Sequence, residues 1–211
     1  MTTIAHGRRT TSARKGDTNQ QAILDTAERL LQTTSLRDIS IADLASGAGI
    51  SRSSFYFYFR SKDEVLLALV DRIIAELGIA VVAMGAAIAE DPVGHLTGGI
   101  EATARVWREH GPVVRAMTEA ANDDEHVRDV WHHTVRRFID VNAAMIEAER
   151  ARGAAPTGGA SAAEIATALV WMNERAFHVA SLGADGALPD DRIVAVLTEV
   201  WHRAIYGGAP A

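Results

Sequence analysis

Apolar residues recur at helical spacing along almost the whole of this chain, and the alternation expected of strands is nearly absent. Residues 19–34, NQQAILDTAERLLQTT, bring Ile23, Ala27, Leu30 and Leu31 to one face. Longer helices are predicted at roughly 62–89, 93–110, 112–121, 124–152, 161–182 and 190–206. The breaks between them fall at Asp91-Pro92, Gly111-Pro112, Asn122-Asp123, the Gly/Ala/Pro stretch 153–160, and Gly183 to Pro189. With two short helices between 40 and 60, the count is about nine and the fold class is all-α.

The short helices carry their own start and stop signals. Ser40 precedes Ile41-Ala42-Asp43 and can accept from the free N–H groups of a new helix. Ile41, Leu44 and Ala45 follow at i, i+3 and i+4, and Gly47 or Gly49 can end the turn in a left-handed conformation. Ser51 is a second N-cap candidate, opening a helix through the aromatic run Phe55, Tyr56, Phe57, Tyr58 and Phe59. Ser61 with Glu64 matches a capping box for the helix after that. Helix, short helix, Gly turn, short helix is the helix-turn-helix pattern, whose second short helix enters a DNA major groove.

At about 100° per residue, Phe55, Tyr58 and Phe59 share the inner face of that helix. Tyr56 falls at the edge, where its hydroxyl can reach a phosphate. Phe57 points outward with Ser53, where an aromatic side chain suits thymine methyls or a partner surface.

The stretch GAGISRSSFYFYFRSKDEVL resembles the DNA-binding signature of TetR-type transcriptional regulators. Its fixed places are met by Gly49, Ile50, Ser51, Phe55, Tyr56, Tyr58, Phe59, Ser61, Lys62 and Asp63. More narrowly, AMIEAERARGAAP, ATALVWMNER and the closing IYG are similar to the actinobacterial group of ethionamide-activation repressors. The resemblance implies a recognition helix from Ser51 to Phe59. Arg52, Ser53, Ser54 and Phe57 would approach base edges, and Tyr56 and Lys62 would clamp phosphates. The N-cap candidates Ser40 and Ser51 complete this DNA-facing set. Arg52 is the one basic residue inside the recognition helix, so shape and apolar contacts are expected to carry much of the specificity.

Charge agrees with such a polarity. Residues 1–60 hold eight Lys/Arg against five Asp/Glu, and the remainder thirteen against twenty-two, within a net charge of −6. A basic N-terminal quarter on an acidic body suits a polyanion at one end. Residues 1–18, with Arg8, Arg9, Arg14 and Lys15, read as a disordered basic arm, either a phosphate or minor-groove contact or simply a floppy terminus. The expected organisation is this arm, a DNA-binding domain over 19–62, and a ligand-binding and dimerisation domain over 63–211.

In that last domain large apolar side chains dominate the inward faces: Trp107, Met117, Phe138, Met145, Trp171, Met172, Phe177 and Trp201. They form either plain core or the wall of an apolar pocket. Asn142 and Asn173 favour the pocket, because Asn173 lies on the apolar stripe, four residues from both Leu169 and Phe177. A buried amide needs a partner on another helix or on a ligand. In the group resembled, the Asn of MNER looks into such a pocket, which implies Asn173 as the anchor of a small hydrophobic effector. Val141 and Val170 stand where that group carries polar or aromatic residues. AAEIATALV and IVAVLTEVW, rich in small residues, are expected to form a four-helix homodimer interface through the last two helices.

Other classes fit less well. With no cysteine, disulfides, thiolate metal sites and thiol catalysis are excluded, and a cytoplasmic location is the default. The apolar run from Ile79 to Ala89 is too short to span a bilayer. His126 and Asp129, with His132 and His133 nearby, fall short of a metal site. Glu174 lacks a partner nucleophile, and Gly94, Gly98 and Gly99 follow no strand. No cofactor, metal or catalytic residue is expected. The expectation is a ligand-responsive transcriptional repressor that binds a palindromic double-stranded operator as a homodimer. The alternative is a helical small-molecule-binding or interaction protein without sequence-specific DNA binding.

Overall fold

The computed structural model describes the backbone of residues 8–84 and 91–207 and the side chains of 17–76 and 91–207. All regular structure among the described residues is helical. The helices are α1 (Arg8–Leu31), α2 (Ile41–Gly47), α3 (Arg52–Phe55), α4 (Lys62–Met84), α5 (Pro92–Asp123), α6 (Glu125–Ala151), α7 (Ala162–Ser181) and α8 (Ile193–Tyr206). The chain divides into two compact units. One comprises the residues up to Arg72 together with Pro112–Val127; the other comprises Ile73–Gly111 and Arg128–Ala211. Helices α4 and α5 each run through both.

Three boundaries differ from the sequence expectations. Helix α1 begins at Arg8 and so takes in most of the segment assigned to a disordered arm; residues 1–7, and the side chains of Arg8, Arg9, Arg14 and Lys15, lie outside those described. The break at Gly111-Pro112 is absent, since α5 passes through Pro112. A proline inside a helix removes one backbone bond and costs about 3 kcal/mol. Here Val113 and Met117, both fully buried, follow it. At about 1.5–3 kcal/mol each, their burial outweighs that loss. The third difference is α3, which is α-helical for only four residues instead of running to Phe59.

In the first unit α2 packs against both α1 and α3. Ile23, Ala27, Leu44, Phe55, Phe59, Leu66 and Leu69 are buried there. The two candidate turn glycines have separate roles. Gly49 takes the left-handed conformation, with φ of +69°. Gly47 is instead a point of close approach, where an added Cβ would lie 2.3 Å from Thr26 Cγ2 on α1. Since Thr26 is itself buried, any side chain at 47 pushes α2 away from α1. Arg72 on α4 forms ion pairs with Asp25 and Glu28 of α1, the former at 2.9 Å.

In the second unit α7 packs on α8. Ser161 and Glu164 form a capping box at the start of α7, and Gly207 ends α8 in a left-handed conformation. A buried carboxylate ties the end of α6 to the end of α8. Glu149 accepts from Arg152 Nε at 2.7 Å and from the Tyr206 hydroxyl at 2.8 Å. Burial alone would raise its pKa, but the bonds from Arg152 and Tyr206, with the Arg152 charge, hold it below the ordinary 4.5. A depressed folded-state pKa means stability that is present above the ordinary value and lost as pH falls through the folded one. Tyr206→Phe is expected to cost about 1.5–3 kcal/mol at neutral pH, the range for a hydrogen bond to a charged group. It should also move the acid-unfolding midpoint, followed by circular dichroism, to higher pH.

Candidate DNA-facing segment and effector cavity

The segment from Ser40 to Lys62 is built by two serine caps. Ser40 Oγ accepts from Asp43 N–H at 3.1 Å, and Asp43 Oδ2 accepts from the Ser40 N–H at 2.9 Å. The Ser40 hydroxyl also donates to Asp43 Oδ2 at 2.6 Å, and this bond, with the one from the Ser40 N–H, lowers the Asp43 pKa. Ser51 Oγ accepts from Ser54 N–H at 3.1 Å and lies 2.9 and 2.8 Å from the hydroxyls of Ser53 and Ser54. A single turn of α-helix then tightens. Tyr58 N–H bonds to the Phe55 carbonyl at 2.9 Å and Phe57 N–H to the Ser54 carbonyl at 3.2 Å, three-residue spacings of the 3₁₀ kind.

The aromatic run separates as the helical projection predicts. Phe55 and Phe59 are buried, and Tyr58 is half-buried with its hydroxyl accepting from Asn19 Nδ2 at 3.0 Å. Tyr56 is 49% exposed and Phe57 87% exposed. Arg52, Ser53 and Ser51 lie on the same accessible stretch. An apolar ring is thus almost wholly in water, next along the chain to the exposed phenol of Tyr56.

Lys62 departs from its expected role. Its ammonium donates to the carbonyls of Leu36, Arg37 and Ile39 at 2.6, 2.8 and 3.2 Å. An ammonium has three donors, and all three are occupied. The residue therefore fastens the turn after α1 to the start of α4 and is not a free phosphate clamp. The capping box at Ser61 is also half formed. Ser61 Oγ accepts from Glu64 N–H at 3.2 Å, but the Glu64 carboxylate reaches Arg60 N–H at 2.7 Å instead of Ser61. The Arg60 side chain, which the sequence did not single out, is 91% exposed. With Arg52 it supplies cationic charge on this stretch. Arg60 Nε lies 3.9 Å from the Glu64 carboxylate, and Arg37 is paired with Asp123 near the end of α5.

The second unit contains a cavity of about 160 Å³. Helix α5 contributes His95, Leu96, Gly99, Ile100 and Thr103. Phe138, Val141, Asn142 and Met145 come from α6, Val170 and Asn173 from α7, and Trp201 from α8. The place a Cβ on Gly99 would occupy is open space, so part of the volume exists because residue 99 has no side chain. Asn173 is buried, and its Oδ1 accepts from Trp201 Nε1 at 2.9 Å. Asn142 Nδ2 donates to the Phe138 carbonyl at 2.8 Å.

Five of the ten sequence candidates thus line the cavity: Phe138, Asn142, Met145, Asn173 and Trp201. Trp107 and Phe177 are core instead, the former edge-on to His178 with centroids 6.0 Å apart. Met172 is half-buried outside the lining. Trp171 is 37% exposed and stands edge-on to His132. Met117 belongs to the first unit, as its position beyond Pro112 dictates. The α5 wall was missed, although Leu96, Ile100, Thr103 and Trp107 fall at helical spacing and could have revealed it.

Known proteins place both regions. Residues 23–69 match the model of bacterial regulatory proteins of the tetR family, and residues 96–207 that of the C-terminal domain of the transcriptional regulator EthR. The chain is 42% identical to the HTH-type transcriptional regulator EthR of Mycolicibacterium smegmatis, over 100% of this chain and 96% of that one. It is 40% identical to EthR of Mycobacterium tuberculosis, over 97% of this chain and 94% of the relative. In fold it is similar to a TetR transcription regulator from Haloarcula marismortui, with a TM-score of 0.73 at 15% identity, covering 92% of this chain and 100% of that one.

Proposed function

Since this chain belongs to the TetR family of helix-turn-helix transcriptional regulators, with a C-terminal domain of the EthR type, we propose that it is a ligand-responsive repressor that binds a palindromic operator. Regulators of this family bind DNA and form dimers, and they are not enzymes. No described helix is long and apolar enough to cross a membrane.

The observation that carries the reading is the division of the aromatic run, with Phe55 and Phe59 buried as anchors and Tyr56 and Phe57 left in water. In this reading residues 19–62 form the DNA-binding domain. Ser53, Ser54, Arg52 and Phe57 face base edges, and Tyr56 and Arg60 face the backbone. The serine caps Ser40 and Ser51 set the two short helices at the right depth. Two copies associate through α7 and α8, whose accessible faces carry Trp171 and Val200. Half-sites would then lie about 34–36 Å apart or a multiple of that.

A small apolar effector fills the cavity and favours whichever conformer it fits better. Helix α5 is the covalent link suited to report it. Its first part lines the cavity, and its last part is packed with the helix-turn-helix unit through Val113 and Met117. The exposed Arg37–Asp123 pair adds little, since ion pairs in water contribute about 0–1 kcal/mol.

The test is selection of bound duplexes from a random pool, with wild type and Tyr56→Ala in parallel. Enrichment of one palindrome by wild type alone supports the reading. Strong salt dependence of that binding is also expected, because each phosphate neutralised releases counterions. Folded wild-type protein that enriches nothing at low salt would overturn it and leave the cavity as the primary function.

A further inference from the structure

Three serine hydroxyls on the candidate DNA-facing stretch constrain one another. Ser51 Oγ lies 2.9 Å from Ser53 Oγ and 2.8 Å from Ser54 Oγ, and it also accepts from the Ser54 N–H at 3.1 Å. A hydroxyl has one proton to give and two lone pairs to receive with. The Ser54 N–H occupies one lone pair of Ser51, so Ser51 accepts from only one neighbouring hydroxyl and donates to the other. The neighbour that donates has used its proton and shows only lone pairs outward. The neighbour that accepts keeps its proton. Whichever way the bonds run, Ser53 and Ser54 together present one donor and one acceptor, never two donors. Ser53 is exposed and Ser54 half-buried, and Phe57, 87% exposed, follows Ser53 by four residues.

On the reading that this stretch faces base edges, we infer that Ser53 and Ser54 select an adenine and that Ser51 makes them do so. In the major groove adenine offers its N7 acceptor beside an N6–H donor, which matches one donor and one acceptor. Guanine offers two acceptors, N7 and O6, but meets only one donor, and the other acceptor is left unpaired. A G·C pair taken across both bases also sets an acceptor beside a donor, in guanine O6 and the cytosine N4 amino group. Phe57 separates the two cases. Its apolar ring gains from the thymine methyl of an A·T pair, and cytosine carries no such methyl. Ser51 touches no base. It is a positioning residue that fixes the polarity of the two hydroxyls beside it.

The test follows operator selection and uses the full-length protein. In the enriched half-site each adenine is replaced in turn by 7-deazaadenine, which lacks the N7 acceptor, and each thymine by uracil, which lacks the methyl. At one adenine, loss of N7 should weaken wild-type binding about tenfold, and the double variant Ser53→Ala, Ser54→Ala should not feel it. Uracil in place of the thymine paired with that adenine should weaken wild type but not Phe57→Ala. Ser51→Gly supplies a readout that a purely structural cap would not move. Glycine is tolerated at a helix cap, so α3 stays in place while Ser53 and Ser54 both regain a free proton. The preference for A·T over G·C at that position, about tenfold in wild type, should shrink as the guanine duplex gains. Wild-type preference for guanine there, no adenine sensitive to loss of N7, or an unchanged preference in folded Ser51→Gly overturns the inference and leaves operator recognition standing. If Ser51→Gly fails to fold by circular dichroism, the 7-deazaadenine series on wild type decides. Enrichment of no duplex at all overturns both readings.

Discussion

Replacing Phe55 with alanine is expected to cost about 3–5 kcal/mol, the range for removing a large aromatic from a core. The Phe55 ring is fully buried, with its centroid 5.7 Å from that of Tyr56 and 6.1 Å from that of Phe59. Helix α3 has only four residues, so it has almost no hydrogen-bonded length of its own to hold it in place. Its position depends on the Ser51 cap at one end and on this ring beneath it. Urea unfolding should show the loss, and operator binding should fall further than stability alone requires, because Tyr56 and Phe57 lose their common platform. Phe57→Ala is the matched control. Truncation of so exposed a ring should change stability by no more than about 0.5 kcal/mol while weakening DNA binding. A Phe55→Ala protein as stable as wild type would contradict the packing described here.

The same short element shows where local reasoning succeeds and where it stops. The faces of the five aromatics follow from helical geometry, which largely survives the tightened turn after Phe55 because Phe59 N–H still bonds to the Phe55 carbonyl at 3.1 Å, the four-residue spacing of an α-helix. The caps at Ser40, Ser51 and Ser61 follow from side-chain chemistry within three residues. Lys62 was not legible in this way. Its partners are carbonyls 23–26 residues earlier, brought beside it by the packing of α1, α2 and α4. A Lys in a DNA-binding signature invites assignment to phosphate, and only the closed turn shows its donors occupied.

Helix α5 failed for the opposite reason. The local signal at Gly111-Pro112 reads as a helix break, but burial of Val113 and Met117 outweighs the backbone bond that the proline removes. With α5 cut there, its amphipathic first half was read as a separate segment, and the wall from His95 to Thr103 went unnoticed. Asn173 was found because an amide on an apolar stripe is conspicuous in sequence. That its partner is Trp201, 28 residues away, depends on how α7 packs on α8.

That pairing defines the other large effect. Trp201→Ala is expected to cost about 3–5 kcal/mol, because it empties a buried indole site and removes one wall of the cavity. The truncation mixes two losses, which a gentler series separates. Trp201→Phe keeps an aromatic wall but deletes the N–H, leaving Asn173 Oδ1 without its partner at a cost of about 1–3 kcal/mol. Asn173→Leu alone strands the indole N–H at a comparable cost. When both partners become apolar neither group is left unsatisfied, so Trp201→Phe with Asn173→Leu should be more stable than the sum of the single losses predicts. Chemical denaturation of the four proteins measures this coupling directly. Simple additivity would mean that water or a rotated amide satisfies the orphaned group in each single variant, and the bond would then do nothing to fix the amide. A clear positive coupling would establish Trp201 as the residue that holds the Asn173 amide in one orientation, with Nδ2 left as the donor that a ligand carbonyl can meet.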